Sequence, residues 1–368
     1  MKAARGLLLV SLAITSVQGA SLVYFGTYTR DQSKGIYVSR FEAGRLSEPV
    51  LAAEVPNPAF LAVHPNRRVL YAVSEEAKGR VTAYTIDAAS GRLTKLGERS
   101  SLGAGPCYVS VDRTGRTVLV AHYGSGTVAA FSIKPDGSFG DAASSVAHSG
   151  SSVNPQRQEA PHAHSVDVSP DNRYAITADL GIDKVIVHRL KAGKAELGGT
   201  ASFVSVKPGS GPRHLAFHPG GRFAYVINEL ASTITALAWN RSRASLAELQ
   251  TVSTLPANFT GESTTAEIAV HPSGRFVYGS NRGHDSIAVF AVNASNGTIT
   301  PVEHVPSGGR SPRSFAIDPS GEWLIAANRT SNNAVLFRID ASTGRLTPVG
   351  ETVQVNSPVC VLFVPAGR

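Results

Sequence analysis

The sequence predicts an all-β fold, a seven-bladed β-propeller of four-stranded antiparallel blades in which one blade is closed by strands from both chain ends. Three observations predict it: a turn-rich, β-rich composition, a repeat of near-constant period, and partial repeats at the two termini that complete each other.

Of 368 residues, 42% are hydrophobic and 17% charged, which supplies a large core and argues against disorder. The 35 glycines and 21 prolines point to many tight turns, and with few aromatics and a single Met they argue against a long helical bundle. The formal charge is +8, from 35 basic and 27 acidic residues. The bases are scattered through turns such as Gly115–Arg116 and Gly274–Arg275 rather than clustered. That spacing argues against a nucleic acid partner, which needs a continuous basic surface.

Residues 1–20 read as a secretory signal peptide: Lys2 and Arg5 precede an apolar run from Gly6 to Val17, with small residues up to Gly19 and Ala20. An exported protein, periplasmic or extracellular, is expected, with residues 21–368 forming the propeller. The apolar run is short for a membrane span, an uncleaved anchor being the alternative, and no later run reaches that length. Cys107 and Cys360 are too few for a disulfide framework and are expected as two buried thiols. Sequons at Asn240, Asn258, Asn293, Asn296 and Asn328 matter only in a host that glycosylates.

The repeat runs through NPAFLAVHPNRRVLYAVSE from Asn57, GPCYVSVDRTGRTVLVAHY from Gly105 and HAHSVDVSPDNRYAITADL from His162. GPRHLAFHPGGRFAYVINEL from Gly211, TAEIAVHPSGRFVYGSNRG from Thr265 and SPRSFAIDPSGEWLIAANR from Ser311 continue it. The anchors Pro65, Arg113, Pro170, Pro219, Pro272, Pro319 and Pro365 are 48, 57, 49, 53, 47 and 46 residues apart. Each copy predicts a hairpin, then a third run such as TVAAFSI after Gly126 and a fourth such as GRLTKLG from Gly91. The seventh copy holds only a first strand, SPVCVLFVP, while LVYFGTY, GIYVSRF and GRLSEPV at the other end supply the rest. Joining them closes the ring and protects its edges. A monomer is expected.

Two registers locate a candidate site. Six residues before each anchor stand Ala59, Cys107, His164, Arg213, Ala266, Arg313 and Val359; nine after it stand Ser74, His122, Asp179, Asn228, Asn281 and Asn328, with Thr27 as the N-terminal equivalent. The next position adds Tyr28, Glu75, Tyr123, Leu180, Glu229, Arg282 and Arg329. These registers are expected to meet around the channel mouth. Glu plus His offers a base and an acid, and several guanidiniums offer a grip on a carboxylate, phosphate or oxyanion. The same residues also fit an Arg/Glu network that ties blades together.

His162 and His164 form an HxH pair that could face one metal, but no Cys or carboxylate motif accompanies it, so no metal is expected. His64, His218 and His271 recur before their Pro anchors, with Asp112 and Asp318 in their place elsewhere, a recurrence that fits turn structure. Glu267 reads as a carboxylate paired for structure. Neither a dinucleotide fingerprint nor a P-loop occurs, so no cofactor is implied.

NPAFLAVHPN, PHAHSVDVSPDNRY, GPRHLAFHPGGRFAYVINEL, AEIAVHPSGRFVYGSNRGHDSIAVF and SPRSFAIDPSGEWLIAANR together resemble the lactonase family of seven-bladed propellers, over roughly Ser21 to Pro365. This family includes 6-phosphogluconolactonases and carboxy-cis,cis-muconate cyclases. The resemblance implies hydrolysis of an anionic, sugar-derived lactone, or the reverse cyclisation of a muconate. It implies catalytic roles for His164, Arg213 in GPRH and Glu229 in NEL, and a substrate contact for Arg282. The register adds Arg313, and the HxH pair adds His162, as further substrate-binding candidates. Glu229 or His164 would activate water, Arg213 would hold the oxyanion, and Arg282 and Arg313 would orient the anionic group. A non-enzymatic propeller that binds a ligand at the same mouth is the competing class.

Overall fold

A computed structural model describes residues 20–29 and 32–365. The signal-peptide reading of residues 1–20 therefore falls, but for Ala20, outside the described residues. Among the described residues the strands form seven antiparallel sheets, and no helix is long and apolar enough to cross a membrane.

Blade 1 runs Pro58–Val63, Val69–Ser74, Arg80–Ile86, Leu93–Ser100, and blades 2 to 6 repeat that meander from Pro106, Ala163, Pro212, Thr264 and Pro312. The first strand of each blade packs beside the first strands of the two adjoining blades, so seven first strands ring the axis. Second strands are apolar on both faces because each is sandwiched between neighbouring blades; Val69–Ser74, Thr117–His122 and Phe223–Asn228 are buried at every position. Fourth strands face water on one side and alternate accordingly, as in Phe139–Ala147.

The core lies between blades. Between blades 1 and 2, for example, Val69, Tyr71 and Val73 pack on Val109, Val118, Val120 and Phe131. Polar ties of fixed geometry accompany this packing. Tyr71, Tyr225 and Tyr278 each donate a hydroxyl bond of 2.8–3.1 Å to the carbonyl of Gly137, Gly297 or Gly344 in the following blade. The histidines before the Pro anchors do the same on the same side of the disc: His64, His218 and His271 reach the carbonyls of Gly115, Gly274 and Gly321 at 2.8–3.0 Å. Each ring also accepts a backbone N–H at Nδ1, from Asn66, Gly220 and Ser273. Asp112 holds its own turn and receives Asn172 Nδ2 from the next blade. The recurrent His/Asp position is thus a turn and interblade fastener.

Blade 7 closes the ring. Pro358–Pro365 is its inner strand and pairs antiparallel with Ser21–Thr27, which pairs with Gly35–Glu42. The outer strand differs from the run GRLSEPV expected for it, being divided into Arg45–Leu46 and Val50–Glu54, both on Gly35–Glu42. Pro49 has no N–H to give the ladder, and Ser47 closes the first piece by bonding Arg40 through both its N–H and its Oγ.

Candidate active site

In every blade the ladder between first and second strands slips at one place. Pro212 pairs with Asn228 and His214 with Ile227, so Arg213 is passed over; Ala59, His164 and Arg313 are passed over in the same way. Cys107 and Val359 occupy the equivalent slots, and in blade 5 both Ala266 and Glu267 are skipped. Glu267 apart, these are the residues six before each anchor. A bulge re-aims the extra residue, so two successive side chains of one strand point toward the axis instead of to opposite faces. That is how Arg213 and His214 come into contact.

The register nine after the anchor behaves otherwise than expected. Asn228 Nδ2 donates to Thr233 and Thr235, Asn281 Nδ2 to Thr254 and Ser286, and Asn328 Nδ2 to the Ser307 carbonyl. Asp179 accepts from the His162 and Gly181 amides. These side chains turn into their own blades and lock the start of the third strand or the incoming loop, because a buried amide or carboxylate must find partners there. The following position supplies the mouth, although Leu180 is buried there and Arg329 is exposed.

The mouth is organised by Glu229, which is 4% exposed. Its Oε2 accepts from Arg213 Nε at 2.9 Å and Arg282 Nη2 at 3.1 Å, and its Oε1 from Arg157 Nη2 at 2.7 Å. His164 Nε2 lies 4.0 Å from the same Oε2. Burial opposes the charge on Glu229, but Arg282, Arg213 and Arg157 outweigh it and pull the carboxyl down to about 2. Burial, reinforced by Arg213, His214 and Arg313, holds His164 well below the usual imidazole value, so its ring is neutral at pH 7. A carboxylate saturated by three guanidiniums is a weak base; the imidazole beside it is neutral and has a ring nitrogen that can accept a proton.

Arg313 sits across the mouth, donating to Tyr28 Oη at 2.9 Å, and Tyr28 donates to Glu75 Oε2 at 2.7 Å. The guanidiniums of Arg313 and Arg329 both lie over the Tyr28 ring, at 5.4 and 5.1 Å from its centroid. His162 takes a different place from the one its spacing to His164 suggests. It precedes the bulged strand, stacks on Tyr123 with centroids 4.3 Å apart, and bonds the Tyr123 carbonyl and Glu159. His164 Nδ1 instead faces Cys107 Sγ at 3.7 Å, so the two rings have separate hydrogen-bond partners although both pack on Tyr123. Cys107 and Cys360 are both free and buried.

The structure thus brings His164, Arg213, Glu229 and Arg282 together, sets Arg313 on the facing wall and places His162 behind Tyr123. Sequence reasoning missed Arg157, which arrives on the connection between blades 2 and 3, outside every repeat register, and also bonds Tyr123 Oη at 3.3 Å. It also missed His214, whose ring packs edge-on to Phe60, Tyr108 and His164 and floors the mouth. Only its place beside Arg213 in GPRH hinted at it. Glu267 bonds His214 Nδ1 at 2.8 Å, the paired role expected for it.

Comparison with known proteins agrees with this architecture. A family model described as "Lactonase, 7-bladed beta-propeller" matches residues 22–363. The chain is 44% identical over 344 residues to a 6-phosphogluconolactonase of Bacillus subtilis, covering 93% of this chain and 97% of that protein. It is 34% identical over 307 residues to a 6-phosphogluconolactonase of Formosa agariphila, covering 80% and 85%. Among solved structures, a periplasmic gluconolactonase of Pseudomonas aeruginosa superposes with a TM-score of 0.87 at 34% identity, over 95% of this chain and all of that one. From the repeats, the closed ring and these matches together, the chain belongs to the lactonase family of seven-bladed β-propellers.

Proposed function

We propose that this protein is a lactone hydrolase of the 6-phosphogluconolactonase type, opening an anionic, sugar-derived lactone at the mouth organised by Glu229. One observation carries the reading: a neutral, buried imidazole stands beside a fully ionised carboxylate that fastens three guanidiniums. The names of the relatives support the substrate class. So does the charge of the mouth, where Arg157, Arg213, Arg282, Arg313 and Arg329 outnumber Glu75 and Glu229.

His164 is the general base. It takes a proton from water as the oxygen attacks the lactone carbonyl carbon, and Arg213 faces the carbonyl oxygen as negative charge grows there. Collapse of the tetrahedral intermediate breaks the ring C–O bond, and the proton on His164 passes to the leaving alkoxide, giving a hydroxy acid. Glu229 holds the guanidiniums in place rather than titrating. Arg282, Arg313 and the more exposed Arg157 orient the substrate's phosphate or carboxylate. The apolar run behind Lys2 and Arg5, together with the likeness to a periplasmic gluconolactonase, supports export.

The test follows acid release from freshly made 6-phosphogluconolactone and gluconolactone, with the purified protein and its His164→Gln variant. Hydrolysis above the spontaneous rate that the variant loses is the expected result. No acceleration on either lactone, or full activity in the variant, overturns the reading.

A further inference from the structure

The geometry assigns to His214 and Glu267 the role of a positioning arm that fixes the orientation of the Arg213 guanidinium for the reaction. The inference rests on the reading of Arg213 as the group that faces the reacting carbonyl. Neither residue is among the groups that bond Glu229; they act through Arg213.

The argument starts from what each group can donate. Arg213 Nη1 lies 3.0 Å from His214 Nε2, and a guanidinium has donors only. Nε2 therefore carries the lone pair, and the single proton of a neutral ring must sit on Nδ1. Nδ1 lies 2.8 Å from Glu267 Oε1, which accepts it. The tautomer is thus dictated from both sides. The same Nη1 also donates to the Ala266 carbonyl at 2.7 Å, and Nε to Glu229 Oε2 at 2.9 Å. Three directions fix a planar fork, and only one of them belongs to Glu229.

Each contact depends on a bulge. Arg213 and His214 share one face because the ladder skips Arg213, and Glu267 stands at the matching place in blade 5, where Ala266 and Glu267 lie opposite the single residue Ser280. Glu267 Oε1 is itself held by the Ile268 amide at 3.1 Å, and the Glu267 amide donates to Ser280 Oγ at 2.9 Å. His214 is 3% exposed and is enclosed by Phe60, Tyr108 and His164. The charged groups that act on it are Glu267, which favours its protonation, and Arg213 and Arg313, which oppose it. Burial is the largest influence, and the ring is pulled down to about 4, so it is neutral wherever the protein works near pH 7. A protonated His214 would point a second N–H at Arg213 and lose that bond.

Two readouts test the arm. The first uses no substrate: nitrogen NMR of the imidazoles in the wild-type protein at pH 7 is expected to show His214 neutral with its proton on Nδ1. A proton on Nε2 overturns the proposal whatever the activity. The second is a kinetic cycle. His214→Phe keeps the ring packing but removes both hydrogen bonds and is expected to lower kcat on the order of tenfold or more, with a smaller change in KM. His214→Gln, which can accept from Arg213 and donate to Glu267, is expected to restore most of that loss. In an Arg213→Ala background, His214→Phe is expected to cost little more, because the arm then has nothing to hold. Additive losses, or a Gln variant as poor as Phe, overturn the proposal. Failure of the wild-type protein to hydrolyse any lactone removes the proposed function but not the arm, which the NMR measurement reads alone.

Discussion

Replacing Glu229 by Gln separates its role as an electrostatic fastener from any role in proton transfer, and its effect on stability can be worked from the structure. The carboxyl is buried and drawn from its ordinary 4.5 to about 2 by Arg282, Arg213 and Arg157, which overcome the cost of burial. At about 1.4 kcal/mol for each tenfold change in proton affinity, the ionised form adds roughly 3 kcal/mol to folding at pH 7. Because the folded value lies below the unfolded one, that contribution is complete above pH 4.5 and is lost as pH falls toward 2. Urea unfolding followed by the fluorescence of Trp239 and Trp323 measures it. Glu229→Gln is expected to be less stable by about 3 kcal/mol at pH 7, with the gap shrinking to less than half by pH 3. A gap that does not change with pH, or a variant as stable as the wild type at pH 7, would refute the electrostatic account.

Four other outcomes follow from the geometry. Arg213→Lys keeps the charge but cannot reach Glu229, His214 and the Ala266 carbonyl at once, so kcat for lactone hydrolysis is expected to fall on the order of a hundredfold; a kcat within threefold of wild type would sink the oxyanion role. Tyr278→Phe strands the buried Gly344 carbonyl of the next blade and is expected to cost about 1–3 kcal/mol in denaturant unfolding, whereas an unchanged midpoint would show the tie to be idle. Asp167 Oδ2 is buried without a partner among the described residues, and burial raises its carboxyl to about 7. Ionisation therefore weakens folding as pH rises, so Asp167→Asn is expected to raise the unfolding midpoint at pH 8 more than at pH 5, and the opposite order contradicts the assignment. Burial pushes the Cys107 thiol up to about 12 and the Cys360 thiol higher still, so neither is expected to react with an aromatic disulfide reagent at pH 8 until urea unfolds the chain; fast reaction in the native protein refutes this.

The fold was legible because a propeller repeats one problem seven times. The copies bury a two-sided apolar second strand and turn at an anchor that is Pro in all but one of them, often behind a His or Asp, and both demands leave marks on residue type. Blade 7 was legible from its missing parts, but its divided outer strand was not, because the effect of Pro49 depends on how Ser47 closes the short hairpin. The site was half legible. The position six before the anchor held the right residues because the bulge sits there, yet nothing in the residues announces a bulge. The position nine after the anchor was misjudged, since Asn228, Asn281 and Asn328 look as suited to a ligand as to the backbone and threonine groups they bind. Arg157 belongs to no register and is placed by a loop alone, and His162 was read by its spacing to His164, which assumes an unbroken strand.

The pairing of Ser21–Thr27 with Pro358–Pro365 has a consequence for how the protein is made. A ribosome delivers Ser21–Thr27 before the six other blades and Pro358–Pro365 after them, so six blades can assemble while the seventh still lacks its inner member. Until then Ser21–Thr27 offers an unpaired edge in an apolar strand, open to the wrong neighbour. Bringing the ends of so long a chain together costs on the order of 5 kcal/mol in loop entropy, which the last strand must recover at once through its ladder and its packing beside blades 1 and 6. A chain that stops before Pro358 would remain an open arc, and one that includes Pro358–Pro365 closes into a ring in which the first and last strands of the propeller secure each other.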